Sequence, residues 1–275
     1  MPGTRILTAL VLLTTFLVAL FYLPPIFWSM LLLGLTVTAA REWCRLGGFS
    51  VNQTIFYLIA TTLLGGELLF LLGEAVIVDT VSTSFIWLYG ASIVFWLLFA
   101  PIMLKIGRVF KTSWIFMILG WVILLPTCLA LYQLRAIEPL LLLGFMGVIW
   151  VADSVAYFAG RAFGKHKLAP QISPRKTWEG VFAALGGVLI YAVIWSFWMN
   201  SDDKLILWLL PFLLMLTVLG IIGDLFESLL KRQAGVKDSG KILPGHGGIL
   251  DRIDALTSTL PLAVLAVILF YSKVI

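Results

Sequence analysis

Apolar residues run in long blocks along this chain, broken by short polar stretches. A helix that crosses a bilayer needs about 20 mostly apolar residues. Nine blocks approach that length: 6–23, 26–40, 54–72, 84–104, 114–134, 140–162, 181–199, 205–225 and 256–271. The pattern predicts an all-α fold, a polytopic membrane protein with about nine transmembrane helices. Pro24-Pro25 separates the first two blocks, ending one helix and permitting a tight return. The second block is short, which fits either a re-entrant segment or a helix that extends further. The first block, with Arg5 before it, has the outline of a signal peptide. No clean cleavage site follows, so it reads as a retained span.

Composition sharpens this picture. Of 275 residues, 61% are hydrophobic and 12% charged, where soluble domains carry about 25% charged residues. The mean hydropathy is +1.06. A water-soluble chain of this size could not hide so much apolar surface. Two cysteines, Cys44 and Cys128, lie far apart without a CxxC pair and indicate neither a metal site nor a disulfide.

Charge orients the chain. With nine spans, 16 of the 19 Lys and Arg residues fall on the side that holds the N-terminus and the segments near 41–53, 105–113, 161–180 and 226–255. By the positive-inside rule that side is cytoplasmic, so the C-terminus is outside. The net charge of +5 and pI near 9.3 do not imply nucleic acid, because the basic residues are scattered between apolar runs. Polar chemistry is concentrated after residue 150. The chain therefore divides into N-terminal transmembrane helices (1–135), which look like membrane filler, and a C-terminal catalytic region (136–275) with polar loops 163–180 and 226–255.

Three places break the apolar pattern with ionisable groups. Asp153 lies inside the sixth span, where a carboxylate normally faces a polar cavity or a partner. Arg161, two turns on, is a structural partner of the right spacing. Glu67, in the third span, has no polar neighbour in sequence and reads as structural or undecided. The second place is residues 164–180, GKHKLAPQISPRKTWEG. Ser173-Pro174 there reads as an N-cap and first helical position. Arg175 and Lys176 would then sit in a first helical turn, an arrangement that suits a bound anion. GRAFGK nearby mimics a P-loop falsely, lacking the spacing, the Ser/Thr and the preceding strand.

The third place is residues 224–254. Asp224, Glu227, Ser228 and Lys231 are spaced to share one helix face. The bend Pro244-Gly245-His246-Gly247-Gly248 lets backbone approach a ligand, and Asp251 and Asp254 follow. The second and third places emerge on the same membrane face, with Asp153 just inside it. Carboxylates converging there would repel, by roughly 4 kcal/mol for two charges 4 Å apart at an effective dielectric near 20. A divalent cation removes that penalty, and oxygen ligands without Cys or paired His favour Mg²⁺. Acids holding Mg²⁺ among Lys and Arg is the chemistry of phosphoryl or nucleotidyl transfer.

The run Ser228 to Asp254, SLLKRQAGVKDSGKILPGHGGILDRID, resembles the signature of the phosphatidate cytidylyltransferases, or CDP-diacylglycerol synthases. A second similar block covers Asp153 to Gly180. The N-terminal half matches only in hydropathy and in Arg41-Glu42-Trp43. The resemblance implies transfer of CMP from CTP to phosphatidate, giving CDP-diacylglycerol and pyrophosphate. It implies a Mg²⁺ centre, alone or with a second cation, on Asp224, Asp251, Asp153 and Asp254. It places Asp224, Asp251, Lys231, Lys237, Asp238 and Arg252 in catalysis. Lys165, Ser173, Arg175, Lys176, Thr177, Glu179, Ser228, Arg232, His246, Gly247 and Gly248 are expected at the substrates, with His246 hydrogen-bonding or turning the chain. The expected partners are CTP and membrane phosphatidate, with a second copy of the chain as a further candidate and no nucleic acid. The expected location is a bacterial inner membrane, with the active site facing the cytoplasm. A CTP-dependent polyprenol kinase, a CDP-archaeol synthase and an ion-coupled transporter are the competing readings. The transporter is disfavoured because the polar groups gather at one face and no inverted repeat is seen.

Overall fold

Capping residues and prolines set the helix boundaries in the computed structural model, which describes residues 2–79, 82–110, 112–198, 203–243 and 247–271. Among the described residues the chain forms nine helices. These are α1 (Pro2–Tyr22), α2 (Pro25–Gly47), α3 (Val51–Val78), α4 (Ile86–Ile106), α5 (Ser113–Ile137), α6 (Pro139–Phe163), α7 (Trp178–Trp198), α8 (Asp203–Gln233) and α9 (Leu250–Tyr271). Seven of them, α3 to α9, are long and apolar enough to cross a membrane. The protein is an all-α, integral membrane protein. Pro25 opens α2 at its first position. Ser50 and Gln53 form a reciprocal cap that starts α3. The block that looked short is therefore one helix of 23 residues, about 34 Å long at 1.5 Å per residue.

Polar contacts fasten the helix ends in two sets. At one end Trp43 Nε1 donates to Phe116 O at 2.9 Å and Val109 N to Gln233 Oε1 at 3.2 Å. At the other, Gln133 Nε2 donates to Ser82 O at 2.8 Å. There Arg135 also donates to Leu20 O and Leu23 O, the open carbonyls at the end of α1. Helices α5 and α9 form the middle of the bundle, with 61% and 56% of their apolar windows buried against 28% for α3. The exposed side chains of α3, among them Phe56, Leu63 and Phe70, suit lipid as their solvent.

Inside α4 the residues Phe95–Phe99 form a π-helical turn just before Pro101. Proline has no N–H, so the helix ladder is interrupted there and can widen. The turn sets Phe95 and Trp96 both edge-on to Phe226, with ring centroids 5.3 and 5.5 Å away. Phe226 lies between Asp224 and Glu227, so this aromatic clamp fixes the polar stretch of α8.

One expectation about secondary structure fails. Ser173 and Pro174 do not begin a helix. Lys167–Ala169 (β1) and Ser173–Thr177 (β2) pair antiparallel, with Lys167 opposite Thr177 and Ala169 opposite Ser173. The pairing partner of Ser173 lies four residues upstream, and the local Ser-Pro signal carries no information about it. Helix α7 begins only at Trp178. Its cap is Thr177, whose Oγ1 accepts from Gly180 N at 3.2 Å. Gly180 lies so close to α6 that a Cβ would sit 2.9 Å from Ala156 O. Replacing Thr177 with Ala removes the cap and should cost about 1 kcal/mol, read as a lower unfolding midpoint of the detergent-solubilised protein.

Candidate active site

A cleft of about 270 Å³ lies between α6, the β2–α7 junction and α8. Asp153, Arg175, Lys176 and Asp224 line its polar end, and Ile149, Ala184 and Ile221 line its apolar depth. Lys176 Nζ stands 2.5 Å from Asp224 Oδ2 across this cleft. Asp153 feels the charges of Asp224, Lys176 and Arg252. It is not paired with Arg161, which instead donates to Tyr157 Oη at 3.4 Å. Arg161 thus reaches back one helical turn to Tyr157, which itself lines the cleft beside Asp153.

The stripe on α8 forms as its spacing requires. Ser228 Oγ donates to Asp224 Oδ1 at 3.3 Å, and Lys231 Nζ to Glu227 Oε2 at 3.1 Å. Lys231 also reaches across to α9, donating to Asp251 Oδ1 at 2.7 Å. The other oxygen of Asp251 accepts from Ser239 N at 2.9 Å, Ser239 Oγ at 2.9 Å and Gly248 N at 2.8 Å. Gly247 has φ +82°, a conformation glycine adopts without strain. Gly247 and Gly248, expected at the substrates, thus wrap the Asp251 carboxylate.

The structure also brings an acid of the N-terminal half into this end of the molecule. Glu42, near the end of α2, is buried, and its carboxylate accepts from Ser239 Oγ, Ile249 N and Leu250 N at 3.0, 3.1 and 2.8 Å. The N-terminal half is therefore not filler. Its only signal in the sequence was the triplet Arg41-Glu42-Trp43, because an acid at a helix end is ordinarily a solvated one.

Other expected site residues take varied places. Glu179 binds the hairpin, accepting from His166 N at 3.1 Å with His166 Nδ1 at 2.7 Å. Arg232 Nε donates to Ile172 O at 3.2 Å, tying α8 to the same hairpin. Ser173 lies in β2, while Lys165, Lys237, Asp238 and Arg252 are exposed around the site. His246 lies outside the described residues. Glu67 is exposed on α3, away from these groups. Glu227 belongs to the cluster, although the spacing alone gave it no role beyond the stripe.

Among the described residues, no three His, Cys, Asp or Glu side chains form a ready set of metal ligands. Asp224 is held by Lys176, and Asp251 by Lys231. The chemistry of the donor set still suits a hard divalent cation. Five carboxylates (Asp153, Asp224, Glu227, Asp251 and Asp254) bear on one another, against the cations Lys176, Lys231 and Arg252. Glu227 Oε1 is buried and meets no hydrogen-bond donor among the described residues, and Asp254 bears on it. A buried carboxylate oxygen without a donor, beside a second acid, calls for a proton or a cation.

Comparison with known proteins identifies the family. A model of the cytidylyltransferase family matches residues 3–270. The chain is similar to a phosphatidate cytidylyltransferase of Pseudomonas aeruginosa, 37% identical over 271 residues, covering 94% of this chain and 93% of that one. It is similar to one from Haemophilus influenzae, 34% identical over 276 residues, covering 94% and 95%. With one from Staphylococcus haemolyticus it shares 51% identity over 116 residues, 42% of this chain and 44% of the relative. A match that spans the α2 residue Glu42, the cleft and the α9 acids alike makes the chain a member of the cytidylyltransferase family.

Proposed function

We infer that this chain is a membrane nucleotidyltransferase that moves CMP from CTP to phosphatidate, giving CDP-diacylglycerol and pyrophosphate. The observation that carries the reading, beside the family match, is the cleft. It is charged at one end and apolar at the other, the shape of demand made by a phosphate headgroup on acyl chains.

A phosphatidate phosphate oxygen attacks the α-phosphorus of CTP. A new P–O bond forms there, the bond to the bridging oxygen of the β-phosphate breaks, and pyrophosphate leaves with the electron pair. The attacking phosphate is already ionised near neutral pH, so no side chain has to remove a proton. The task of the protein is to bring two anions together and hold them in line. Lys176 and Arg175, at the mouth of the cleft, neutralise phosphate oxygens. Lys231 keeps Asp251 and Glu227 in fixed positions. The acids Asp153, Asp224, Asp251 and Asp254, with Glu227 among them, are the residues that would hold Mg²⁺, which when bound neutralises developing charge on the phosphates.

The site is proposed to face the cytoplasm of a bacterial inner membrane. By the spans read from the sequence, 16 of the 19 basic residues fall on the side of the loops that carry the site, which supports this orientation under the positive-inside rule. Lys105→Cys, in the last turn of α4, should stay unlabelled by an impermeant maleimide in intact spheroplasts and label in inverted vesicles. Cys44 and Cys128 are buried and give little background. Labelling in the intact spheroplasts would reverse the orientation.

Purified protein in micelles containing phosphatidate should transfer label from α-³²P-CTP into the lipid phase and release β,γ-label as pyrophosphate. EDTA should stop transfer and Mg²⁺ restore it. Label entering lipid from the γ-position would mean a kinase and overturn the reading. Lys176→Ala should raise the KM for CTP or phosphatidate tenfold or more. Unchanged KM values for both would leave the hairpin as no more than positive charge at a membrane surface.

A further inference from the structure

We propose that Glu42, in the N-terminal half, is a positioning residue for the transfer reaction, acting through Ser239 and the start of α9 on Asp251. This inference rests on the assignment of Asp251 to the active site.

The geometry is that of a helix cap supplied from a distance. Ile249 and Leu250 carry two of the first amide groups of α9, which no residue within the helix can satisfy. A cap side chain serves the second or third helical amide instead, so these two need an acceptor from elsewhere. Glu42 takes that place from 207 residues away, with Oε1 on Ile249 N and Oε2 on Leu250 N. A carboxylate beside a helix N-terminus is also favoured by the helix dipole. The next residue, Asp251, faces the site.

Ser239 couples the two acids. Its hydroxyl, fully buried, lies 3.0 Å from Glu42 Oε2 and 2.9 Å from Asp251 Oδ2. It has one proton to give, so the two carboxylates share one donor. Gly248, whose amide serves Asp251, packs so closely on Glu42 that a Cβ there would collide with both carboxylate oxygens. Glu42 therefore fixes three things that Asp251 depends on: the Ser239 hydroxyl, the path of the backbone at Gly248, and the first turn of α9. A slack loop would let Asp251 drift from Lys231 and from the α8 acids.

The test is Glu42→Gln in the full chain, assayed in phosphatidate micelles. Glutamine keeps the shape but has one acceptor oxygen, so a backbone N–H is left facing an NH₂ group. The expected result is a kcat per folded molecule at least tenfold lower, with the KM for CTP within threefold of the wild type. Hydrogen exchange should speed up at Ser239 and Gly248 to Asp251 but not in the middle of α5. Ser239→Ala should lower kcat in the same direction by fivefold or more. The double variant should be no worse than Glu42→Gln alone, because both act on one carboxylate. A structural role alone predicts a smaller folded fraction with normal kcat per folded molecule, or additive losses. Either result overturns the proposal, as does a kcat within twofold of the wild type. If Glu42→Gln does not fold, Ser239→Ala decides, and an unchanged kcat in that variant rejects the coupling. Asp251→Asn runs in parallel. Full activity there removes the site assignment itself, whereas an inactive Asp251→Asn beside a normal Glu42→Gln removes only this inference.

Discussion

Asp224→Asn is expected to lower kcat/KM by about a thousandfold, the scale seen when one preorganised electrostatic group is removed from a reacting site. The protein should still insert, extract and elute as the wild type does. The expectation follows from the surroundings of this carboxylate. Asp224 faces Lys176 across the cleft and bears on both Asp153 and Asp254. Asparagine has nearly the same shape and can still accept from Ser228 Oγ, which now lies 3.3 Å from Asp224 Oδ1. Folding should therefore survive, because one negative charge leaves a cluster that holds more acids than bases. What is lost is the anion that orients Lys176 and contributes to any cation site. Turnover within tenfold of the wild type, at saturating CTP and Mg²⁺, would remove Asp224 from the machinery.

Lys231→Met should both inactivate and destabilise. Lys231 lies between Glu227 and Asp251, at 3.1 and 2.7 Å. All three side chains are enclosed: 12% exposed for Lys231, 5% for Glu227 and 6% for Asp251. Removing one partner of a buried ion pair costs about 3–5 kcal/mol, because the remaining charge is stranded. Here two like charges would be stranded together. The unfolding midpoint in detergent should fall clearly, and CMP transfer should drop by at least a hundredfold. Adding Glu227→Gln to Lys231→Met removes one stranded charge and should recover much of the stability. It should not recover activity, since Asp251 stays without its ammonium partner. Two results would contradict this account: a single variant as stable as the wild type, or a double variant with restored turnover.

The fold was legible in the sequence for a physical reason. In a bilayer every spanning backbone must satisfy its own hydrogen bonds, so long apolar blocks have few structures open to them. The nine blocks correspond to α1 to α9, and the error in α2 was one of length. The stripe from Asp224 to Lys231 was equally legible, because helical spacing alone places these residues on one face, and its contacts along α8 follow. Misreading began where local signals compete with pairing partners elsewhere. Ser173-Pro174 has the composition of a helix cap but lies in a strand, because β1 pairs with it. Asp153 and Arg161 share a helix face at the right spacing, yet Arg161 finds Tyr157.

Glu42 marks the limit most clearly. Its position near the end of an apolar helix fitted an ordinary solvated acid, and nothing nearby in the chain points to Ser239 or Leu250. The sequence alone determined the class, the helices and the chemical character of the loops, because bilayer and helix periodicity act over short stretches of chain. Only the tertiary structure decided which acids meet which cations and that an N-terminal carboxylate caps the last helix. Those contacts join residues up to 208 positions apart, and their energies come from burial and orientation that exist only once the helices have packed.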